Sequence, residues 1–136
     1  MKANYGFTCK MTAKPGMGDQ LVKLLMTGLD EGNPGSTEWC VVYLVSRSAS
    51  NPDIVTVQEG WTTEEDHHRI FGGAAAQAIV AQFADILADE PTYDDLIAVD
   101  GKANYLAKPW VTWFSSGTSP PLRTQRARRL AHYGPT

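Results

Sequence analysis

Two hydrophobic periodicities alternate along the first hundred residues, and their order limits the folds that this chain can adopt. Apolar side chains recur at every second position over residues 5–11, which predicts a strand with one buried face. Leucines recur at helical spacing between Leu21 and Leu29, so we expect an amphipathic helix over about residues 17–31. The Lys-Pro-Gly sequence at residues 14–16 predicts the turn between them.

Two runs rich in aromatic and β-branched residues follow, at residues 39–45 and 54–61. The Asn-Pro-Asp sequence at residues 51–53 separates them, which predicts a β-hairpin. We expect Thr62 and Glu65 to form a capping box at the start of a second helix, because each can satisfy a free backbone amide of the first turn.

The second helix is interrupted in its sequence. We expect it to pause at Gly72-Gly73, to resume with helical spacing through Phe83 and Leu87, and to end before Pro91. A fourth strand is expected over residues 93–99.

The resulting order of strand, helix, strand, strand, helix, strand is typical of one fold class. We predict an α+β protein with the ferredoxin-like βαββαβ arrangement, a four-stranded antiparallel sheet with both helices on one face. Strand two has apolar side chains on both of its sides, so both faces need cover. The set expected on one side is Cys40, Val42 and Leu44, and the set on the other is Trp39, Val41, Tyr43 and Val45. We therefore expect a homodimer in which a second subunit covers the bare sheet face.

The expected strand order also bears on the two cysteines. In this fold strand three lies between strands one and two, so Cys9 and Cys40 would stand about 9–10 Å apart, which is beyond the reach of a disulfide. Two unpaired cysteines without metal-ligand spacing indicate a reducing, cytoplasmic setting. No secretory signal precedes the first strand, and no apolar run is long enough to span a membrane.

Charge divides the chain into two parts. Residues 1–100 contain six Lys/Arg and all fifteen Asp/Glu, a net charge of −9, and are expected to form one domain. Residues 101–136 contain six Lys/Arg and no acid, a net charge of +6, and are expected to be an irregular basic extension. Nucleic acid is not favoured as a partner, because four arginines at the end of an acidic domain give only a small basic surface.

Residues 58–68 carry the most telling motif. Glu59-x-Trp61 is followed by Glu64-Glu65-Asp66-His67, after a Lys14-Pro15-Gly16 turn and a Pro34-Gly35 turn. This pattern resembles the antibiotic biosynthesis monooxygenase family, in particular its quinol monooxygenase-like branch. The resemblance covers about residues 4–100 and implies a dimeric ferredoxin-like α/β barrel. It also implies oxidation of a small aromatic or quinol-type substrate by O₂ without a cofactor. Haem breakdown is not implied, because Ile70-Phe71-Gly72 stands where the haem-degrading members have a histidine.

Oxidation without a cofactor requires a base and a dry pocket lined by aromatic groups. His67 is the candidate base, because an unperturbed imidazole titrates near neutrality, and Glu64 lies one turn earlier, where it could orient the ring. Glu59 is a further catalytic candidate. The candidate substrate-binding residues are Trp61, by stacking, and the hydroxyl groups of Tyr43 and Tyr5.

Plainer interpretations remain open from sequence alone. His67 can be a surface histidine, and Trp61 a core tryptophan. His68 points about 100° away from His67 around the helix, so too few ligands converge for a metal. No dinucleotide loop is present, because Leu21 stands where its third glycine would be. The alternatives to an oxygenase are a non-catalytic ligand-binding dimer and a proton-transfer isomerase.

Overall fold

A computed structural model describes residues 1–104 of the chain. The predicted basic extension lies outside the described residues from residue 105 onward. The strands are β1 (Tyr5–Thr12), β2 (Cys40–Arg47), β3 (Ile54–Trp61) and β4 (Thr92–Leu96), and the helices are α1 (Gly18–Met26), α2 (Glu64–Phe71) and α3 (Ala74–Phe83). Short 3₁₀ turns cover Thr27–Leu29 and Pro34–Ser36.

The four strands form one antiparallel sheet in the order β2-β3-β1-β4, which confirms the predicted ferredoxin-like α+β fold. Alternate residues of β1 and β3 face the helices and form the core. Val55 and Val57 of β3 are almost fully buried, and Leu21 and Leu25 of α1 pack against them. The strand order also places β3 between the strands that carry Cys9 and Cys40, as predicted.

Asp53 joins the hairpin to the start of α1. Its carboxylate accepts hydrogen bonds from the backbone N–H groups of Gly16 (3.1 Å) and Gly18 (2.9 Å). These amides have no intrahelical acceptor at a helix start, so a carboxylate there satisfies them and complements the helix dipole. Gly16 has a φ of +82°, a conformation that favours glycine in the turn between β1 and α1.

The start of α2 differs by one residue from the prediction. Thr63, not Thr62, is the N-cap, and its hydroxyl accepts a hydrogen bond from the backbone N–H of Asp66 (3.0 Å). Thr62 instead donates its hydroxyl proton to the carboxylate of Asp66 (2.5 Å). Asp66 is therefore the third residue of the helix, the position that the predicted capping box gave to Glu65. His67 follows it and lies in the first turn.

The ends of the later elements were also predicted too far along the chain. The predicted pause at Gly72-Gly73 is confirmed, because it separates α2 from α3, but α3 ends at Phe83, well before Pro91. Strand β4 ends at Leu96, and the exposed Ile97 and Val99 continue without sheet pairing.

A β-bulge in β2 changes the predicted alternation of that strand. Cys40 pairs with Trp61 and Val42 pairs with Gly60, so Val41 is an extra residue between them. Cys40 consequently faces the helices, opposite to Val42, and the prediction that the two share a face is wrong. The sheet face without helices carries Val42 and Leu44 beside polar residues such as Thr8 and Gln58, because these lie at the alternate positions of the register.

Candidate functional site

A cavity of about 500 Å³ lies between the helix-facing side of the sheet and the helices. This is the size that small-molecule sites in proteins have. Its lining is dominated by aromatic and aliphatic side chains, with a few polar groups among them. Four of the six predicted site residues line it, namely Tyr5, Tyr43, Glu59 and His67.

The register of the sheet places one row of side chains across the cavity floor. Tyr43 of β2 pairs with Glu59 of β3, Glu59 pairs with Phe7 of β1, and Phe7 pairs with Asp95 of β4. Paired residues of neighbouring antiparallel strands point to the same face. Two carboxylates therefore stand on either side of the Phe7 ring, and all four residues line the cavity.

Glu59 is the buried acid at the centre of this row, with only 7% of its surface exposed. The indole N–H of Trp61 donates a hydrogen bond to its Oε2 (2.8 Å). Burial raises the pKa of Glu59 to about 7, although the hydrogen bond from Trp61 opposes that rise. Near neutral pH the carboxyl group can therefore both accept and release a proton, as a general base requires.

His67 lies against the same cavity, in a cluster of aromatic rings. Its ring centroid is 4.5 Å from that of Phe71, 5.1 Å from that of Phe7 and 5.2 Å from that of Trp61. Only 13% of its side chain is exposed, so it is not a surface histidine. Within the described part of the chain neither ring nitrogen has a hydrogen-bond partner. Both nitrogens are thus buried without a partner among the described residues.

The protonation behaviour of His67 differs from the sequence-based expectation. Burial lowers its pKa to about 4, so the ring is neutral near pH 7 rather than partly protonated. Its Nε2 lies 4.0 Å from Oε2 of Glu59, which is too far for a direct hydrogen bond. A single ligand oxygen could contact both atoms at about 2.8 Å from each, since the three atoms then form a plausible triangle.

Glu64 does not orient His67. Its carboxylate lies 3.4 Å from Nε2 of His68, and both of these side chains are more than 60% exposed. His68 and Glu64 are therefore a solvent-facing pair, and neither lines the cavity.

Trp61 and Tyr43 take positions that limit their contact with a ligand. Trp61 is fully buried beneath Glu59 and does not line the cavity, so its indole supports the carboxylate instead of presenting a stacking surface. The hydroxyl of Tyr43 donates to the backbone carbonyl of Leu25 (2.6 Å), which leaves it only as an acceptor for a ligand. Tyr5 lines the cavity, with its ring centroid 5.5 Å from that of His67.

Sequence reasoning missed several residues of the site. Tyr93 and Asp95 of β4 line the cavity, as do Phe71 and Phe83 from the helices. The alternation of β4 could have indicated two of them. Tyr93 and Asp95 lie two residues apart on the strand, so they point to the same face of the sheet. Burial raises the pKa of the Cys9 thiol, which also lines the cavity, to about 11, so it is not a reactive thiolate.

Residues 1–104 contain neither a metal-binding cluster nor a helix suited to a membrane. No group of three or more His, Cys, Asp or Glu side chains is arranged to hold a metal ion there. Within the same range no helix is both long enough and apolar enough to cross a membrane.

No protein-family model matches the sequence, and no curated protein is significantly similar to it. Solved structures do match. A "putative antibiotic biosynthesis monooxygenase" from Chloroflexus aurantiacus has 27% sequence identity and a TM-score of 0.61, over 73% of this chain and 96% of that one. A protein with the same description from Deinococcus radiodurans has 16% identity and a TM-score of 0.61, over 74% and 98%. Rv0793 from Mycobacterium tuberculosis has 16% identity and a TM-score of 0.62, over 73% and 98%.

The sheet order and the helix placement define a ferredoxin-like α+β protein with a cavity between the sheet and the helices. The solved structures that share this fold include several with the monooxygenase description, so the resemblance to the antibiotic biosynthesis monooxygenases is confirmed at the level of structure.

Proposed function

We propose that this chain is a cofactor-independent monooxygenase that oxidises a small aromatic or quinol-type substrate with O₂, and that Glu59 is its base. The observation that carries the proposal is a buried carboxyl group with a pKa of about 7 in a cavity walled by aromatic side chains. The fold that it shares with proteins described as monooxygenases supports the same conclusion. His67, the base expected from sequence, is too weak a base for this role at a pKa of about 4.

The proposed reaction begins with proton transfer. The Glu59 carboxylate takes the proton of a substrate hydroxyl, and the resulting phenolate is electron-rich enough to give one electron to O₂. Net charge in the cavity does not change in this step, because Glu59 becomes neutral as the substrate becomes an anion. A dry site favours such a transfer, since no buried charge is created.

The following steps balance without a cofactor. The substrate radical and superoxide combine into a hydroperoxide at a ring carbon. That carbon then loses its hydrogen, the O–O bond breaks, and the ring carbon becomes a carbonyl. One oxygen atom of O₂ remains in the product and the other leaves as water, which takes up both protons that the substrate lost. Glu59 carries one proton at a time and ends in its starting form.

His67 and Trp61 have supporting parts in this proposal. As a neutral imidazole, His67 has one N–H that can donate to the substrate oxygen while that oxygen becomes a phenolate. Trp61 holds the Glu59 carboxylate in place through its 2.8 Å hydrogen bond. In this proposal Glu59 and His67 act on the substrate, and Trp61 positions the Glu59 carboxylate.

The dimer belongs to the same proposal. The sheet face without helices carries Val42 and Leu44, and we propose that a second copy packs against it. Trp110, Trp113 and Phe114, which could cover this face instead, lie outside the described residues. Cys9 and Cys40 are free thiols, which supports a reducing, cytoplasmic location.

Oxygen uptake is the test of the proposed reaction. The purified chain, without added cofactor, is assayed with a panel of reduced naphthoquinols, naphthols and anthrones against protein-free blanks. Glu59→Gln is expected to lower turnover about 10²–10⁴-fold, while Glu64→Gln, which removes an exposed acid outside the cavity, leaves it unchanged. Conversion of a substrate under strict anaerobiosis would favour the proton-transfer isomerase. Saturable binding without any conversion would favour the non-catalytic ligand-binding dimer.

A further inference from the structure

The charges that line the cavity are all of one sign. Glu59 and Asp95 both line it, and over residues 1–104 no Lys or Arg does. The one basic side chain in the lining, His67, is neutral near pH 7 because burial disfavours its charged form. A ligand that carried a permanent negative charge would therefore meet two acids and no cation.

The two acids occupy different environments. Glu59 is buried at the centre of the sheet, whereas Asp95 is exposed on the edge strand β4, at the cavity rim. Because Phe7 stands between them in the row, their Cα atoms are two strand spacings apart, roughly 10 Å. That separation matches a flat ligand of two or three fused rings whose two ends reach both carboxylates across the Phe7 ring.

The groups around Asp95 suit a positive charge. The rings of Tyr5, Phe7 and Tyr93 line the cavity with it, and Tyr5 and Tyr93 are neutral phenols at physiological pH, since burial raises the pKa of Tyr93 to about 12 and also raises that of Tyr5. Aromatic faces attract ammonium groups, and a carboxylate beside them adds a direct ionic contact. His68 and Glu64 lie near Tyr5 on α2 but pair with each other.

We propose that the cavity selects flat ligands that carry an ammonium group at the Asp95 end and no negative charge, and that Asp95 is a specificity-determining residue. This selectivity rests on the proposed function for the role of Glu59 at the other end, where the reacting hydroxyl lies. A hydroxyl in place of the ammonium group is accepted more weakly, because it offers a hydrogen bond without the ionic attraction. A carboxylate at this end is rejected.

Binding of three matched probes tests the proposal. Each is a naphthol that carries, at the far end of its ring system from the hydroxyl, an aminomethyl, a hydroxymethyl or a carboxylate group. Affinity is measured anaerobically, at low ionic strength and near neutral pH, from the fluorescence of the naphthol with the full-length chain. We expect the aminomethyl probe to bind about three- to tenfold more tightly than the hydroxymethyl probe, and the carboxylate probe to bind about tenfold more weakly than the hydroxymethyl probe.

Two variants of neighbouring residues make the test specific. Asp95→Asn is expected to lower the preference for the aminomethyl probe by about threefold without changing the affinity for the hydroxymethyl probe. Asp94→Asn removes the same charge from the same strand, but Asp94 pairs with Thr8 on the opposite sheet face, so the preference should stay. An equal loss in both variants, an unchanged preference in Asp95→Asn, or equal affinity for the three probes would overturn the proposal.

Absence of saturable binding by the aminomethyl probe would also overturn it, whatever the oxygen assays give. Because these measurements exclude O₂, charge selectivity can fail in a chain that proves to be an oxygenase. Equally, selectivity can be found in a chain that consumes no oxygen. The two proposals are therefore tested apart.

Discussion

Replacing Glu59 by glutamine is expected to change how the stability of the fold depends on pH. The pKa of Glu59 is about 7 in the folded protein and 4.5 when unperturbed. Between these two values the folded chain holds a proton that the unfolded chain has lost, so the free energy of unfolding falls as pH rises. The difference corresponds to about 3 kcal/mol, present below about pH 4.5 and lost by about pH 7.

His67 has the opposite effect over almost the same range. Its pKa is about 4 in the folded protein and 6.5 when unperturbed, so the unfolded chain binds the extra proton and stability rises with pH. The gain is at most about 3 kcal/mol, and water in the cavity reduces it by screening the ring. In the wild-type chain the two slopes largely cancel between about pH 4.5 and 6.5.

Single substitutions should expose each slope. Glu59→Gln removes the falling contribution, so its stability should rise from about pH 4 to 6.5 by up to about 3 kcal/mol and exceed that of the wild-type chain at about pH 8. A glutamine oxygen can still accept the Trp61 N–H. His67→Gln should give the reverse, a loss of about 3 kcal/mol between about pH 4.5 and 7.

Urea unfolding followed by tryptophan fluorescence at several pH values measures these slopes. Glu64→Gln is the matched control, because that carboxylate is exposed, and it should follow the wild-type profile. If Glu59→Gln keeps the wild-type profile, or if the Glu59 and His67 variants have parallel profiles, the burial argument for both groups is refuted.

The remaining predictions concern turnover and assembly. Trp61→Phe keeps an aromatic ring but removes the N–H that stabilises the Glu59 carboxylate, so the acid limb of the kcat/KM profile should move up by about one pH unit; an unmoved limb would contradict the role of this hydrogen bond. His67→Ala should lower kcat about tenfold or more, because a hydrogen-bond donor to the phenolate is lost, while His68→Ala should leave kcat unchanged. Equal changes of kcat in the two variants would contradict the placement of the two rings. Light scattering at micromolar concentration should give about twice the 14.9 kDa chain mass, and a stable monomer would refute the dimer.

The sequence predicted those features of the fold that follow from periodicity. Strand alternation and helical spacing gave the element order, and the ferredoxin-like order then fixed the position of β3 between β1 and β2. The bulge at Val41 was not predictable in the same way, because strand two is apolar on both sides and its alternation offers no signal for an extra residue. Cys40 was therefore grouped with Val42 and Leu44, with which it does not share a face.

The site was harder to predict, because the protonation of its side chains depends on how deeply each one is buried. Glu59 and Trp61 lie two residues apart on one strand, so the sequence placed them on the same face of the sheet. It did not indicate that Trp61 is completely buried beneath the carboxylate. A histidine in the first turn of a helix is commonly exposed, and only the packing of Phe71 and Phe7 around His67 makes it neutral. Asp95 was overlooked because an acid on a short edge strand resembles ordinary solubilising charge.

Oxygen-isotope labelling tests the central proposal most directly. The chain, without cofactor, converts a naphthol under an atmosphere of oxygen-18 gas, and the quinone product is analysed by mass spectrometry after a short reaction, before its carbonyl oxygens exchange with water. One labelled atom per product molecule is expected, and Glu59→Gln should slow its formation about 10²–10⁴-fold while Glu64→Gln does not. Product without the oxygen-18 label, or labelled product formed equally fast by Glu59→Gln, would contradict oxygenation through Glu59.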